Sequence, residues 1–227
     1  MTKVLAYCAF LHRQGVSLPD SGVNGAALQQ EMQGDLRLLW SEMDWPFDSS
    51  NLQRNAVEFH RVVSHMFSQG AVVPFRLLSV FDDRQSVADF IAAHHAGFVA
   101  DLERLQNLVQ MECVLYFAPR PGVRTSGKDY LERKAELLQR AEEFLQSINN
   151  ALGTISKGIR VRESRNGSRI FVLVERGDEE KFQSIVQDLP IPERLARRIA
   201  GPWPPAEFLS DSVKMPQITG TKITGQR

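Results

Sequence analysis

Cysteine is scarce in this 227-residue chain: Cys8 and Cys113 are the two present, and no CxxC pair occurs. That excludes a disulfide-stapled scaffold and thiolate zinc sites, and each cysteine sits in an apolar run, where a buried thiol is the expected role. Long hydrophobic runs are missing as well. The longest, residues 4–11, falls far short of the roughly 20 residues needed to cross a bilayer. It also starts too near the first residue, and lacks a small-x-small cleavage site, for a secretory leader. A cytosolic protein is expected. Nor is there an excess of charge of one sign: Lys+Arg and Asp+Glu each number 27, so no overall field draws the chain to nucleic acid or anionic lipid.

What is present suits a folded protein. Apolar residues make up 43% and charged residues 24%, close to the globular average. At about 150 residues per domain the length allows one large or two small domains. The charge balance conceals a lean, because residues 1–120 carry 9 basic and 13 acidic side chains and residues 121–227 carry 18 and 14. Two halves of opposite sign fit two domains with different surfaces.

Residues 4–11 are apolar on both faces, as a central strand requires. A loop rich in glycine precedes a short helix expected over 26–32, and residues 35–40 return as a strand. Ser49-Ser50 offers an N-cap to a helix striped by Leu52, Ala56, Phe59, Val63 and Met66 and stopped by Gly70. Residues 71–81 read as a strand that Pro74 confines to an edge or bulge. Ser86-x-x-Asp89 resembles a capping box opening a helix striped by Val87, Ile91, His94, Phe98, Leu102, Leu105 and Val109. Residues 111–118 close the unit as a strand. Two strand–helix–strand crossovers predict an α+β protein whose first domain, residues 1–120, is a ferredoxin-like α/β sandwich.

Pro119-Arg-Pro-Gly122 marks the boundary. A second α+β domain is expected over 121–212. It opens on a long helix with the seam Leu131, Ala135, Leu138, Ala141, Leu145, Ile148 and Leu152. An antiparallel hairpin follows around Asn166-Gly167, between residues 159–163 and 169–175. Asp178 begins a helix running to 186, and Pro192 begins another that ends at Gly201. The stretch from Trp203 fits only an edge strand or an extended strap. Residues 213–227 are small, polar and expected to be disordered.

No motif for catalysis survives inspection. Gly122-Val-Arg-Thr-Ser-Gly127-Lys128 satisfies GxxxxGK, but Asp129 stands where a magnesium-binding Ser or Thr is required. An interdomain linker, with Ser126 or Asp129 capping the helix, is the plainer reading; a nucleotide-dependent assembly factor using Lys128 is the alternative. The histidines, His12, His60, His65, His94 and His95, show no metal-ligand spacing and read as partly buried, hydrogen-bonded residues. No GxSxG elbow exists, and Asp82-Asp83 suits the start of a helix. The cluster Lys157, Arg160, Arg162, Arg165 and Arg169 has Phe171 as its one ring, which argues against base stacking. It reads as a solvated face or a docking surface for an acidic partner. Catalytic, cofactor-binding and metal-ligating residues are therefore none, and neither nucleic acid nor a lipid membrane is an expected partner.

One string is more specific: Gly201-Pro-Trp-Pro-Pro205, followed by Ala206-Glu-Phe208. Three prolines and a tryptophan in five residues demand a particular extended path, with Trp203 available as an anchor. The string resembles the hallmark near the C-terminus of the gas vesicle GvpL/GvpF family. Val73-Pro74-Phe75-Arg76 with Val80-Phe81 resembles that family's proline-containing strand, and Gly127-Lys-Asp-Tyr130-Leu131 its helix opening. The likeness covers about residues 3 to 210. Ala206 and Glu207 depart from the tyrosine and small polar residue common in the family, and Leu77-Leu78 replaces its Phe-Gly pair. The resemblance implies a non-enzymatic accessory or minor structural protein, cytoplasmic and associated with gas vesicles. Its implied partners are the GvpA-type shell protein and other vesicle accessory proteins. The expected docking surface is the seam Leu131, Leu138, Leu145, Ile148 and Leu152, or a sheet edge. A diverged ferredoxin-like regulator that binds a small ligand between its domains is a further alternative.

Overall fold

The computed structural model describes residues 2–46, 49–117, 127–164, 167–211 and 213; in the helix that starts at Gly127, only the backbone is described before Gln139 and at Ala141. The chain forms two compact units. One comprises residues up to Gln106 together with those from Leu209, and the other is Asn107–Phe208.

The first unit contains β1 (Thr2–Leu11), β2 (Leu28–Gln33), β3 (Leu36–Asp44), α1 (Leu52–Gln69), β4 (Val73–Pro74), β5 (Val80–Phe81) and α2 (Arg84–Arg104). Its sheet has the order β2-β3-β1-β4, with β5 also on β1, and every pairing is antiparallel. Val4 and Phe10 are 4% exposed and everything between them is 0%, so β1 is covered on both faces. β3 and β4 both oppose β1 and therefore run parallel to each other, joined through α1 in a split crossover. That is the strand order of a ferredoxin-like unit, with residues 12–27 standing where a first crossover helix would be.

Local sequence signals misplace several ends. Residues 28–33 form an edge strand rather than the expected helix, because Gly34 (φ +57°) and Asp35 turn the chain straight back and pair Gln33 with Leu36. Register against β3 overrides the helix propensity of Gln, Glu and Met. A short 3-10 turn, Ser49–Asn51, precedes α1, and Asn51 takes the N-cap position instead of the serines. Leu52 is 44% exposed, and the buried face begins at Asn55 and Phe59. Residues 71–81 are two short strands, not one: Ser79 N–H donates to the Arg76 carbonyl at 2.8 Å, closing a turn between them. The cap of α2 is Asp83, whose Oδ1 accepts from both the backbone N–H and the hydroxyl of Ser86 at 2.8 Å. Those bonds hold its carboxyl below the usual range. The α2 stripe is as read only as far as Leu102, with Val87, Ile91, Phe98 and Leu102 at 2% exposure or less; the helix ends at Arg104, so Leu105 is its C-cap and Val109, expected on the stripe, belongs to the strand that follows.

The second unit contains β6 (Leu108–Phe117), α3 (Gly127–Leu152), β7 (Ser156–Ser164), β8 (Gly167–Glu175), α4 (Glu179–Asp188) and β9 (Leu195–Trp203). Its antiparallel sheet has the order β7-β8-β6-β9. This is the complete β-α-β-β-α-β arrangement of a ferredoxin-like fold. β6, read from sequence as the closing strand of the first domain, is instead a central strand of this sheet. An apolar strand announces that it is buried but not which sheet buries it. The unit consequently begins at Asn107 and not beyond residue 120; residues 118–126, with the Pro-rich string and most of the GxxxxGK string, lie outside the described residues, as do 214–227.

Residues 195–203 form β9 where a helix ending at Gly201 was expected, since pairing with β6 overrides the propensity of Leu-Ala-Arg-Arg. Pro202 is tolerated because β9 is an edge strand. The hairpin is β7–β8 as expected. Ser164 pairs with Gly167, so Gly167 already belongs to the strand, and the residues between them lie outside the described set.

Candidate functional site

The two faces of the second sheet differ. Val109, Met111, Cys113 and Leu115 of β6 share a face with Ile170, Val172 and Val174 of β8, and all are 0–1% exposed. α3 and α4 pack on the sheet and on each other, and their buried residues, Phe144, Ile148, Leu152, Phe182 and Val186, complete this core. Arg197 points to the same side and donates to the carbonyls of Leu189 (2.7 Å) and Gln187 at the C-terminal end of α4, where a cation complements the helix dipole.

Among the described residues, no helix packs on the opposite face. Its residues are Gln110, Glu112, Val114 and Tyr116 of β6, Arg169, Phe171 and Leu173 of β8, Gly158, Arg160 and Arg162 of β7, and Ala196, Arg198 and Ala200 of β9. Part of it is crossed by the segment that follows β9. Gly201 (φ +119°) lies at the irregular register between Gln110 and Glu112, where an added Cβ would meet the Gln110 carbonyl at 2.9 Å; only glycine fits that approach. Pro204 and Pro205 are buried, and a 3-10 turn, Ala206–Phe208, follows.

This strap is fastened across the sheet from β6 to β7. Glu207 N–H donates to Gln110 Oε1 at 3.0 Å, its carboxylate pairs with Arg162 at 2.5 Å, and its carbonyl accepts from Arg160. Phe208 is 6% exposed, lies beside Gly158 and stacks under the Arg160 guanidinium at 5.4 Å. The Gly201–Pro205 string is thus the device that turns the chain off the edge strand and lays it over the open face. Trp203 is only half-buried; the strap's buried anchors are Pro204, Pro205 and Phe208.

Beneath and beside the strap two further charge pairs form. Arg169 pairs with Glu112 at 2.5 Å and lies over Phe171 at 5.2 Å, and Lys157 pairs with Glu175 at 2.7 Å. Sequence reasoning named the arginines of this hairpin, and Glu207 only as a departure from the family string, but missed Gln110, Glu112 and Gly158. Their roles depend on which strand lies beside which, and that has no local signal.

The other expected residues fall in separate places. Pro74 sits opposite Cys8 on the short strand β4, and Phe75 N–H donates to the Tyr7 carbonyl at 2.8 Å. Phe75 packs against Phe90 and Phe98 of α2, whereas Arg76 is exposed. This motif therefore builds the first unit's core. Gly127, Tyr130 and Leu131 lie in the first turns of α3, whose side chains there, like those of Leu138, lie outside the described set. Of the proposed docking seam, Ile148 and Leu152 are 1% and 0% exposed. They belong to the core and offer nothing to a partner, while Leu145 is half-buried.

Several other titratable groups have partners within the fold. His94 Nδ1–H donates to the Phe90 carbonyl (2.9 Å) and the ring stacks on that of Phe90, and His65 bonds to Ser17. Burial pushes the Cys8 thiol far above its ordinary range and the Cys113 thiol up to about 11. Tyr7 is also raised by burial, against hydrogen bonds with Ser41 (2.8 Å) and from Val23 N–H (2.8 Å). Among the described residues no three His, Cys, Asp or Glu side chains are grouped to hold a metal, and no helix is long and apolar enough to cross a membrane.

The family described as "Gas vesicle synthesis protein GvpL/GvpF" matches residues 3–210. Gas vesicle protein L of Streptomyces sp. (strain CB03234) is 25% identical over 201 residues, covering 76% of this chain and 73% of that protein. The crystal structure of gas vesicle protein GvpF from Anabaena sp. PCC7120 superposes with a TM-score of 0.74 at 15% identity, over 92% of this chain and 97% of that one. GvpF from Microcystis aeruginosa gives 0.70 at 15% identity, over 92% and 99%. The two structures share the fold, and the match from residue 3 to residue 210 settles the family: the chain belongs to the GvpL/GvpF family of gas vesicle proteins.

Proposed function

We propose that this chain is a non-catalytic binding protein of gas vesicle assembly, which engages the vesicle's shell subunit and other accessory proteins. The observation that carries the reading is the family match over residues 3–210, both units included. The chemistry of the described residues supports it: the thiols are buried, and Arg162 and Arg169 are paired with Glu207 and Glu112.

A shell subunit that assembles into a wall must be kept from irregular association beforehand. A protein with exposed sheet edges can receive such a chain by strand addition. The edge strands β2 and β7 are the places for it, with Met32 62% and Val161 46% exposed. The first half of α3, with Leu131 and Leu138, remains a second proposed surface. Purified protein immobilised on resin should capture the shell subunit from the same gene cluster and leave an unrelated hydrophobic protein in solution. Equal retention of both, or of neither, would sink the reading.

A further inference from the structure

The part of the open face that the strap leaves uncovered has an ordered composition. Strand register aligns Arg162 of β7, Arg169 of β8, Val114 of β6 and Arg198 of β9 in one transverse row. At a strand spacing of about 4.8 Å, the row spans about 14 Å. The Arg162 and Arg169 side chains stay 61% and 53% exposed while paired with Glu207 and Glu112. Arg198 is exposed, and among the described residues no carboxylate pairs with it. Ala196 and Ala200 flank it on β9, and Tyr116, 42% exposed, lies next to Ala196 in the adjoining row. With Arg160 one row away, this face sets four guanidinium groups against two carboxylates.

We propose that this row is a docking surface for a carboxylate-rich segment of a partner protein, laid across β9, β6 and β8. The proposal deepens the assembly reading and rests on it for the identity of the partner. Arg198 supplies the unmatched charge at one end. Arg169 and Arg162 keep donors free, because a guanidinium has five N–H groups and one carboxylate uses at most two of them. Val114 and Tyr116 give the segment's apolar atoms a place to rest, and the small alanines keep the approach open.

A protein segment fits better than a nucleic acid. A phosphate backbone needs a continuous basic track, whereas Glu112 and Glu207 interrupt this one. Phe171 is 2% exposed and cannot stack on a base, and Tyr116 by itself makes no stacking platform for successive bases. A carboxylate-bearing side chain meets the guanidinium groups one at a time and tolerates the acids between them.

The test uses the full chain and a labelled dodecapeptide of alternating Glu and Ala, with the Gln-Ala peptide and single-stranded oligothymidylate as comparisons. Wild type should bind the Glu-Ala peptide at low salt, lose affinity as salt rises, and prefer it to both comparisons. Arg198→Glu should weaken peptide binding about tenfold or more, with an unchanged melting temperature because the side chain is exposed. Arg198→Lys should retain most of it, and Arg13→Glu in the first unit should match wild type. Failure to bind the Glu-Ala peptide, stronger binding of the oligonucleotide, or equal losses in Arg198→Glu and Arg13→Glu would each overturn the proposal. Capture of the shell subunit by wild type and Arg198→Glu alike would also overturn this surface, while leaving the assembly reading in place. Capture by neither, with peptide binding intact and lost in Arg198→Glu, would overturn the assembly reading and keep the row.

Discussion

Phe208 fills the space that a side chain at residue 158 would need: a Cβ built on Gly158 comes within 3.2 Å of the ring's Cε1. The strap and the hairpin are therefore fitted to each other at this point, and a larger residue must lift one off the other. Gly158→Val is expected to destabilise the protein by about 1–3 kcal/mol through overpacking, read as a lower urea midpoint. Phe208→Ala should cost more, about 3–5 kcal/mol, because it empties a buried ring site. If the strap is what position 158 serves, adding Gly158→Val to Phe208→Ala should cost little further, since the clash is gone.

Gly167 is held more tightly still. Its φ is +149°, and a Cβ there would lie 1.9 Å from the Leu115 carbonyl oxygen, which is backbone and cannot swing aside. Gly167→Ala should therefore disrupt the β6–β8 pairing and lower stability by more than about 3 kcal/mol. Gly153, whose nearest contacts begin at 3.5 Å, should accept alanine with a change of less than about 1 kcal/mol. Thermal melting of the two variants side by side checks the contrast.

The errors of sequence reading cluster at sheet edges. β2 and β9 are edge strands with residues that favour helices, Gln, Glu and Met in one, Leu, Ala and Arg in the other. Edge strands bury less, so their pattern is weak, and what makes them strands is the neighbour they pair with. β1 was legible because Val4 to Phe10 are apolar throughout and leave no alternative. α2 and α3 were legible because their stripes repeat over several turns. The strap could be read as extended from its prolines, but its target could not: Gln110 and Arg162 are 97 and 45 positions from Glu207 and meet it only through strand order. The seam of α3 shows the same limit, since an apolar stripe looks alike whether its own sheet or a partner covers it.

The pair of Arg169 and Glu112 is unequal, with side-chain exposures of 53% and 7%. Losing the exposed partner strands a buried carboxylate, whereas neutralising the buried one leaves an arginine that water can solvate. Arg169→Ala should thus cost more than Glu112→Gln, by about 1–3 kcal/mol, a range kept low because Arg169 is half in solvent. Chemical denaturation at neutral pH measures both. An equal cost would mean that the pair is screened and that the sheet tolerates a lone Glu112.

Alkaline pH should weaken the fold by a route set by its buried acids. Cys113 is raised from 9.0 to about 11, and Cys8 and Tyr7 are raised as well, chiefly by burial. A group whose folded value lies above its unfolded one keeps its proton in the native state while the unfolded chain releases it. Its contribution is therefore intact below the unfolded value and is lost as pH climbs toward the folded one. Stability should hold level up to about pH 8, then fall above about pH 9 through the two cysteines and above about pH 10 through Tyr7 as well, each group contributing a slope of up to about 1.4 kcal/mol per pH unit. Urea titrations from pH 7 to 10.5 would show it, and Cys8→Ala,Cys113→Ala should flatten the slope without removing the part that belongs to Tyr7. The same burial predicts that neither thiol reacts with an aromatic disulfide reagent at pH 8 until denaturant is added, when both react. Rapid labelling of the native protein would show that the strands around Cys8 or Cys113 open readily, and the alkaline slope would then have to come from other groups.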